Sequence, residues 1–489
     1  MAGSGKGVVA AGHPLTARAG ADVLRDGGNA VDAAVAAMAM SFACEPLLTG
    51  LGAGGYMLVA GADAEPVLLD FFAAAPSRAG DGTEAELSGV EVSFGDATQI
   101  FHCGPASCAV YGVPAGVAEA VRRWCTVPLG ELAEPAARRA EEGVVLNAGQ
   151  AYVAEILAGL LTSTPECAAI WAPNGEILHE GQTLVNPELG HALRRLAAEG
   201  PAPFYTGDIA AAVCRWLADI GGSITPADLA GYSATERRPV SMPYRDRMIL
   251  TNPPPSAGGT LLAYALALLD RGPAPPTLAH TVSAMAAAQG ERTPEFVDGL
   301  AQEGFAEAFL ASRLGSTTHI SVLDSRGTAC SVTCTNGEGS AVVVPGTGLH
   351  LNNMMGEQDL NPLGFHMHPP GLRLPSMMAP TVVTRDGEVE LVLGSAGSNR
   401  IRSAILQTIV AVVDHGAGAQ EAVDSPRVHL EDDIVFAEPG VDLHALGDRR
   451  VVRFGARNLF FGGVQAVLSR SGQIEGAGDP RRGGVAVTA

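Results

Sequence analysis

The sequence predicts an α/β (α+β) fold, a four-layer αββα sandwich, from three observations. Segments with helical periodicity dominate the first 300 or so positions. A β-hairpin pattern opens at Thr318. Strand-like runs and a closing helix follow it. Hydrophobic residues are 47 % and charged residues 17 % of the 489, which is ample material for a large core. The 61 glycines and 32 prolines are spread through apolar segments and mark turns rather than disorder. A formal charge of −21 argues against nucleic acid or an anionic membrane as partner. The most apolar early run, Ala33 to Cys44, is too short and Ala-rich to span a bilayer. Eight cysteines form no C-x-x-C motif and suggest no pairing. With no signal-peptide pattern at the start, they point to a cytoplasmic protein with free thiols.

Taken in order, Val8 to Ala11 reads as a short strand. Thr16 is the expected cap of a helix running to about Arg25, stopped by Gly27-Gly28. Asn29 or a neighbour opens a second helix, Ala30 to Ala43, apolar on nearly all sides and so buried. Gly50 to Gly55 matches G-x-G-x-x-G, but it stands between a helix and a strand (Tyr56 to Ala60), the wrong order for a dinucleotide site. Pro66 to Phe72 is a strand, and Asp81 to Ala97 a surface excursion. A helical block follows at 113–124, 129–142, 151–161, 189–199 and 209–220, with a short helix after Thr225. Met248 to Thr251 is a strand leading to a triple proline, then a helix spans 259–269. Ala284 to Arg313 reads as a polar helical linker. Later strands are expected at 341–344, 378–383, 388–393, 434–436 and 451–454, with a helix over 399–413.

The chemistry is sought at the hairpin. Thr318 to Leu323 alternates polar and apolar residues, as a half-buried strand would, and Asp324 to Gly327 is a turn into Thr328 to Thr335. A Thr hydroxyl is a weak nucleophile that needs a base. Were the chain cut before Thr317, that residue would supply its own α-amine, with a pKa near ~8.

Thr317-Thr318-His319-Ile320-Ser321-Val322 resembles the T-T-H-x-S-V segment of the γ-glutamyltranspeptidase family. Gly27 to Ala34 resembles its G-G-N-A-[VI]-D-A-A, and Pro253 to Gly259 its P-P-P-S-[SA]-G-G. Gly394 to Ser398 resembles its G-[ST]-x-G-[GS], and Asp479-Pro480-Arg481 its terminal D-P-R. The resemblance implies a fold of the N-terminal-nucleophile hydrolase type, with Thr317 at the end of a central strand. It also implies self-cleavage between Ser316 and Thr317 into a large subunit, 1–316, and a small one, 317–489, intertwined as one domain, with a dimer of that unit as a further assembly. Thr317 would be the nucleophile. Thr335, eighteen positions on, would hydrogen-bond it, and the N–H groups of Gly397 and Ser398 would form the oxyanion hole.

The implied substrate pocket departs from the family. Phe72 stands where D-x-R-E-x-A-P carries the Arg that grips the γ-glutamyl α-carboxylate, and a phenyl ring cannot make that bidentate contact. The paired Ser-Ser is Ser376-Met377. The N-N-[QE]-M-D-D stretch is Asn352 to Glu357, with Met354 in place of a polar residue. Asn353 is kept there, and Glu357 keeps a carboxylate for a substrate ammonium. Asn336 stands one place early relative to T-x-N, and Glu338 beside it is a candidate contact or a solvated loop residue. Phe72, Met354 and Met377 would line a less polar pocket or pack on one another. His350, His366 and His368 suggest a metal, the last two projecting to one side of an extended segment. No carboxylate or Cys shares their spacing, so neither metal nor cofactor is expected. His319 reads as structural.

The implied function is a self-cleaving hydrolase acting on a small amino-acid-like acyl substrate other than ordinary γ-glutamyl, in the manner of relatives from specialised-metabolite and antibiotic biosynthesis. Three alternatives stay open: a C–C bond hydrolase of a biosynthetic intermediate, a true γ-glutamyltransferase or glutathione hydrolase, and an uncleaved pseudoenzyme that binds.

Overall fold

The computed structural model describes residues 6–62, 64–77, 87–93, 98–290, 318–357, 360–361, 364–431 and 433–489. The elements that build its layers are, in chain order, β1 (Gly7–Ala11), α1 (Pro14–Arg25), α2 (Ala30–Cys44), β2 (Gly54–Gly61), β3 (Ala64–Phe71), α3 (Val113–Trp124), α4 (Leu129–Glu142), α5 (Pro187–Glu199), β4 (Thr235–Arg237), β5 (Val240–Tyr244), β6 (Arg247–Thr251), α6 (Ala257–Asp270), α7 (Leu278–Gly290), β7 (Thr318–Asp324), β8 (Ala329–Thr335), β9 (Thr381–Arg385), β10 (Glu388–Ala396), α8 (Arg400–Val413), α9 (Ala419–Asp424), β11 (Gly463–Arg470), β12 (Gln473–Gly478) and β13 (Val485–Thr488).

Two sheets stack. The first has seven strands in the order β13-β1-β7-β8-β2-β3-β4, and the second six in the order β12-β11-β10-β9-β6-β5. Helices α1 to α3 cover the outer face of the first sheet with α4 and α5 packed behind α2, and α6, α8 and α9 cover that of the second with α7 against α6. The αββα sandwich is therefore as the sequence implies. No helix among the described residues is long and apolar enough to cross a membrane, and all eight cysteines are free thiols.

The start of the chain shows why these residues form these elements. Asn29 caps α2 through the N–H groups of Val31 and Asp32, while Asp32 reaches back to the Asn29 N–H, a capping box. Every residue of α2 is buried, consistent with its all-round apolar sequence. The cap of α1 is a correction. His13, not Thr16, precedes the helix and accepts the Leu15 N–H, because Pro14 fills the first helical position. Thr16 lies inside the helix and donates to Glu45 instead.

The central hairpin holds the main departure from the sequence reading. β7 and β8 pair in the register Thr318↔Cys334 to Leu323↔Ala329. Their apolar side chains (Ile320, Val322, Cys330, Val332, Cys334) face the outer helices. Their polar side chains do not face water. His319, Ser321, Ser331 and Thr333 are buried between the sheets. One His319 nitrogen, Nδ1, is 2.9 Å from Thr333 Oγ1, and the other, Nε2, is 2.8 Å from Ser321 Oγ and 3.3 Å from Ser331 Oγ. The two Ser hydroxyls donate to the carbonyls of Gln465 and Leu393 in the second sheet. The strand is thus buried on both faces, its polar face stitched across the sandwich.

Burial pushes the His319 ring down from 6.5 to about 3. An unfolded chain would protonate this His below 6.5 while the fold would not. Its contribution is therefore complete above pH 6.5 and is lost as pH falls toward 3. Wild type is expected to lose about 2 kcal/mol more stability between pH 6.5 and 5 than His319→Gln, read from denaturant midpoints. Equal pH slopes would contradict the neutral buried ring.

Three smaller corrections follow from context. Ser88–Ser93 pairs with Thr98–Cys103 as a hairpin within the stretch read as an excursion. The segment read as a polar helical linker is helical in its first part, but Leu278–Gly290 packs into the core through Val282, Met285 and Ala288 and is no polar linker there. Residues 291–317, including Ser316 and Thr317, lie outside the described residues. The hairpin of β11 and β12 has no counterpart among the expected strands.

Candidate active site

Several of the site residues named from sequence lie at the end of the sandwich where β7 begins. Thr317 lies outside the described residues, and its covalent neighbour Thr318 opens β7. On one side β8 ends at Thr335, which is 7 % exposed and accepts the Gly337 N–H at 2.7 Å through its hydroxyl. Asn336 is fully buried and donates to the His350 carbonyl, and its Oδ1 has no partner among the described residues. The Gly337 backbone has a φ of 66° and is crowded by Asn353 Oδ1 and Glu357 Oε1. Asn353 accepts the Glu338 N–H at 3.0 Å and donates to the His102 carbonyl at 3.2 Å. Thr335, Asn336, Asn353 and Glu357 therefore converge on one turn, with Glu338 tied into it.

Gly397 and Ser398 follow β10, whose Gly394 backbone lies against the His319 ring of β7. Their φ angles are 117° and 51°, two consecutive left-handed residues. A Cβ at Gly397 would fall 2.7 Å from Gly462 Cα and 3.3 Å from Arg482 Nη2, so glycine is demanded there by both angle and space. A left-handed Ser beside it is a strained backbone of the kind that persists when the surroundings fix it. Both carbonyls are engaged by α8, from Arg400 and Ile401.

Ser376 accepts the Met378 N–H through its hydroxyl, and its carbonyl accepts from the Ala257 N–H and the Ser256 hydroxyl. The triple-proline segment thus clamps 376–378 onto the start of α6. Gly258 is required for that approach, because its Cβ would lie 2.5 Å from the Met377 carbonyl.

Phe72 is fully buried. Its ring stacks on Tyr56 at 5.4 Å, its N–H is donated to Asp70, and its carbonyl accepts the Tyr232 hydroxyl. Phe72, Met354 and Met377 are each at most 1 % exposed and share one core cluster, so here they pack rather than open a pocket. Nearby, Arg237 and Arg373 both pair with the buried Asp70, at 2.7 and 3.4 Å, and Arg373 lies over the Tyr232 ring at 4.2 Å.

The histidines correct one expectation. Phe365 and His366 form a turn, with His366 at a φ of 60°, so 366–368 is not extended. His368 Nε2 is 2.8 Å from the Leu360 carbonyl. Burial lowers the pKa of His350, to about 4, and of His366 and His368. Among the described residues no group of three or more His, Cys, Asp or Glu could hold a metal.

Sequence reasoning missed a neighbouring cavity. Beyond β1, which pairs β7 with Ala11↔Ile320, lies a cavity of about 90 Å³ lined by Gly12, His13, Glu45, Gln150, Leu459 and Arg482 among others. Arg482 directly follows the quoted D-P-R, and only the long-range packing of 482 on Gly463 and Gly397 reveals its place.

Comparison with known proteins gives a consistent picture. The family model for gamma-glutamyltranspeptidase matches residues 16–489. The acylase ACY 1 proenzyme of Pseudomonas sp. (strain SE83) is 33 % identical over 477 residues, covering 90 % of this chain and 85 % of that protein. The glutathione hydrolase proenzyme of Bacillus subtilis (strain 168) is 30 % identical over 541 residues, covering 98 % and 91 %. In fold, the cephalosporin acylase from Bacillus halodurans matches with a TM-score of 0.85 at 24 % identity, over 99 % of this chain and 96 % of that one. The Helicobacter pylori gamma-glutamyltranspeptidase matches with 0.52 at 26 % identity, over 61 % and 89 %.

Proposed function

Because the chain belongs to the gamma-glutamyltranspeptidase family, we propose that it cuts itself before Thr317 and uses that residue to hydrolyse an amide whose acyl group is not ordinary γ-glutamyl. The observation that carries the reading is the placement of the start of β7 between Thr335 on β8 and the left-handed Gly397-Ser398 pair after β10. The proenzyme names of the relatives support processing into 1–316 and 317–489.

In this mechanism the Thr317 hydroxyl attacks the acyl carbonyl and its proton passes to the Thr317 α-amine. The oxyanion is met by the N–H groups of Gly397 and Ser398, a contribution of ~3 to 4 kcal/mol for such a donor. Collapse breaks the C–N bond, and the ammonium returns its proton to the departing amine. Water then attacks the acyl ester, with the α-amine again as base, releasing the acid. An amine in place of water would give transfer. The base must be neutral, so kcat/KM is expected to rise with pH and level off above about 8. A rate that falls steadily from pH 6 to 8 would count against an amine base.

Substrate class is read from the acyl side. Phe72 is locked in the core against Tyr56, so the usual carboxylate grip is missing. Losing one bidentate Arg contact is worth ~2 to 3 kcal/mol, about 30- to 150-fold in kcat/KM. Glutathione is therefore expected to be at least about 30-fold poorer than the best substrate in a panel of acetyl, phenylacetyl, glutaryl and γ-glutamyl 4-nitroanilides. Glutamate released from glutathione as fast as the best anilide reacts would overturn the substrate reading. No release from any of these compounds by the cleaved enzyme would overturn the hydrolase reading.

A further inference from the structure

A second cavity, of about 440 Å³, opens where β4 and the segment 371–373 meet the stretch that follows β3. Its lining contains none of Thr335, Asn336, Asn353, Glu357, Gly397 or Ser398. One wall is apolar. Ala74 exchanges backbone hydrogen bonds with Val110, and Ala75 donates to the Leu372 carbonyl and accepts the Gly371 N–H. Those backbone groups are used, so this wall presents the side chains of Ala74, Ala75 and Val110, with Leu372, 45 % exposed, beside them.

Polar recognition falls to two arginines. Arg237 donates Nε to Asp70 at 2.7 Å, and its terminal amino groups have no acceptor among the described residues. Arg373 donates Nη2 to the Ser233 carbonyl. Its Nε lies 3.4 Å from Asp70 and has no hydrogen-bond partner among the described residues. The Arg373 side chain is only 12 % exposed, and that of Arg237 27 %. Arg373 is also held in place, lying over the Tyr232 ring at 4.2 Å. Tyr232 in turn stacks on Tyr205 at 5.4 Å and donates to the Phe72 carbonyl.

The charges do not balance. Two guanidinium groups share the one buried carboxylate of Asp70, which leaves one positive charge. Asp228, the other carboxylate on the wall, already accepts the N–H and hydroxyl groups of both Ser77 and Thr225. Glu236, next to Arg237, is paired with Arg123. Largely buried guanidinium groups with unused donors are costly unless an anion completes them. Their planar fork matches a carboxylate. A single residual charge suits a carboxylate better than a dianionic phosphate, and the apolar wall suits a hydrocarbon body.

We infer that this cavity is a second binding site, taking a carboxylate with an apolar body, whose charged end is held by Arg237 and Arg373. It is separate from the reacting site and does not rest on the hydrolase reading.

Calorimetry on the full chain tests it, with 4-phenylbutanoate, 4-phenylbutanamide and inorganic phosphate as probes. The carboxylate is expected to bind once per chain, at least about tenfold tighter than the amide and tighter than phosphate. Arg237→Gln should weaken it by about tenfold or more. Thr235→Trp, on the edge strand β4, leaves both arginines in place and fills the cavity from its wall, so it should abolish binding. Thermal midpoints near that of wild type confirm that each variant is folded. Thr317→Ala should bind as wild type does. Absence of saturable 4-phenylbutanoate binding, equal binding of acid and amide, or tighter binding of phosphate would overturn the inference. So would affinity unchanged in Arg237→Gln and Thr235→Trp, which would put the probe elsewhere on the protein. None of these results bears on self-cleavage or hydrolysis.

Discussion

Asp479→Ala is expected to destabilise the protein by about 3 to 5 kcal/mol, one of the largest effects available from a single substitution outside the reacting atoms. Asp479 is fully buried at the end of β12. Its carboxylate pairs with Arg427 at 2.7 Å and Arg481 at 3.2 Å, and accepts the N–H groups of Val464 and Arg481. Although burial pushes this carboxyl upward, the two guanidinium groups hold it below the usual carboxylate range. Removing it leaves the Arg427 guanidinium, itself 2 % exposed, with the carbonyls of Phe461 and Val423 as its acceptors among the described residues. The D-P-R segment thus anchors the strand that delivers Arg482 and the backbone beneath Gly397. A thermal or urea midpoint close to that of wild type would show that the network is not what holds this end of the sandwich.

Thr317→Ala is expected to remain a single chain and to lose at least about 10⁴-fold in hydrolysis, since in the proposed mechanism the hydroxyl serves both the self-cleavage and every later turnover. Thr317→Ser, which keeps a hydroxyl, should still cut, though more slowly. The two substitutions therefore separate loss of the nucleophile from disturbance of the strand. Thr317→Ala with normal activity would place the nucleophile elsewhere.

What was legible in the sequence, and what was not, follows the range of the interactions. Local chemistry was readable. Asn29 or a neighbour marks a helix start, Asp324 to Gly327 a hairpin turn, and the uniform apolarity of Ala30 to Ala43 a buried helix. Edge and long-range features were not. β5 carries Pro243, which discourages a strand reading, yet it is the edge strand of its sheet, where a missing N–H is harmless. The polar residues of β7 and β8 looked solvent-facing because the partners that satisfy them, the carbonyls of Gln465 and Leu393, lie over 60 residues away. Of the residues named from motifs for substrate binding, Asn336, Asn353 and Glu357 meet at one turn, while Ser376 is held against the start of α6. The apolar replacements Phe72, Met354 and Met377 could not be placed by sequence as packing or lining, and the structure has them packed. Arg482 was invisible because its place in the cavity comes from Gly463 and the Leu459 carbonyl, which only the fold brings to it.

The central claim is that this chain matures by its own cleavage before Thr317, and the intact mass of the purified wild-type protein under denaturing conditions tests it most directly. The account predicts two polypeptides, 1–316 and 317–489, the second beginning with a free Thr317 on N-terminal sequencing. A single 49.9 kDa chain that persists indefinitely would contradict it.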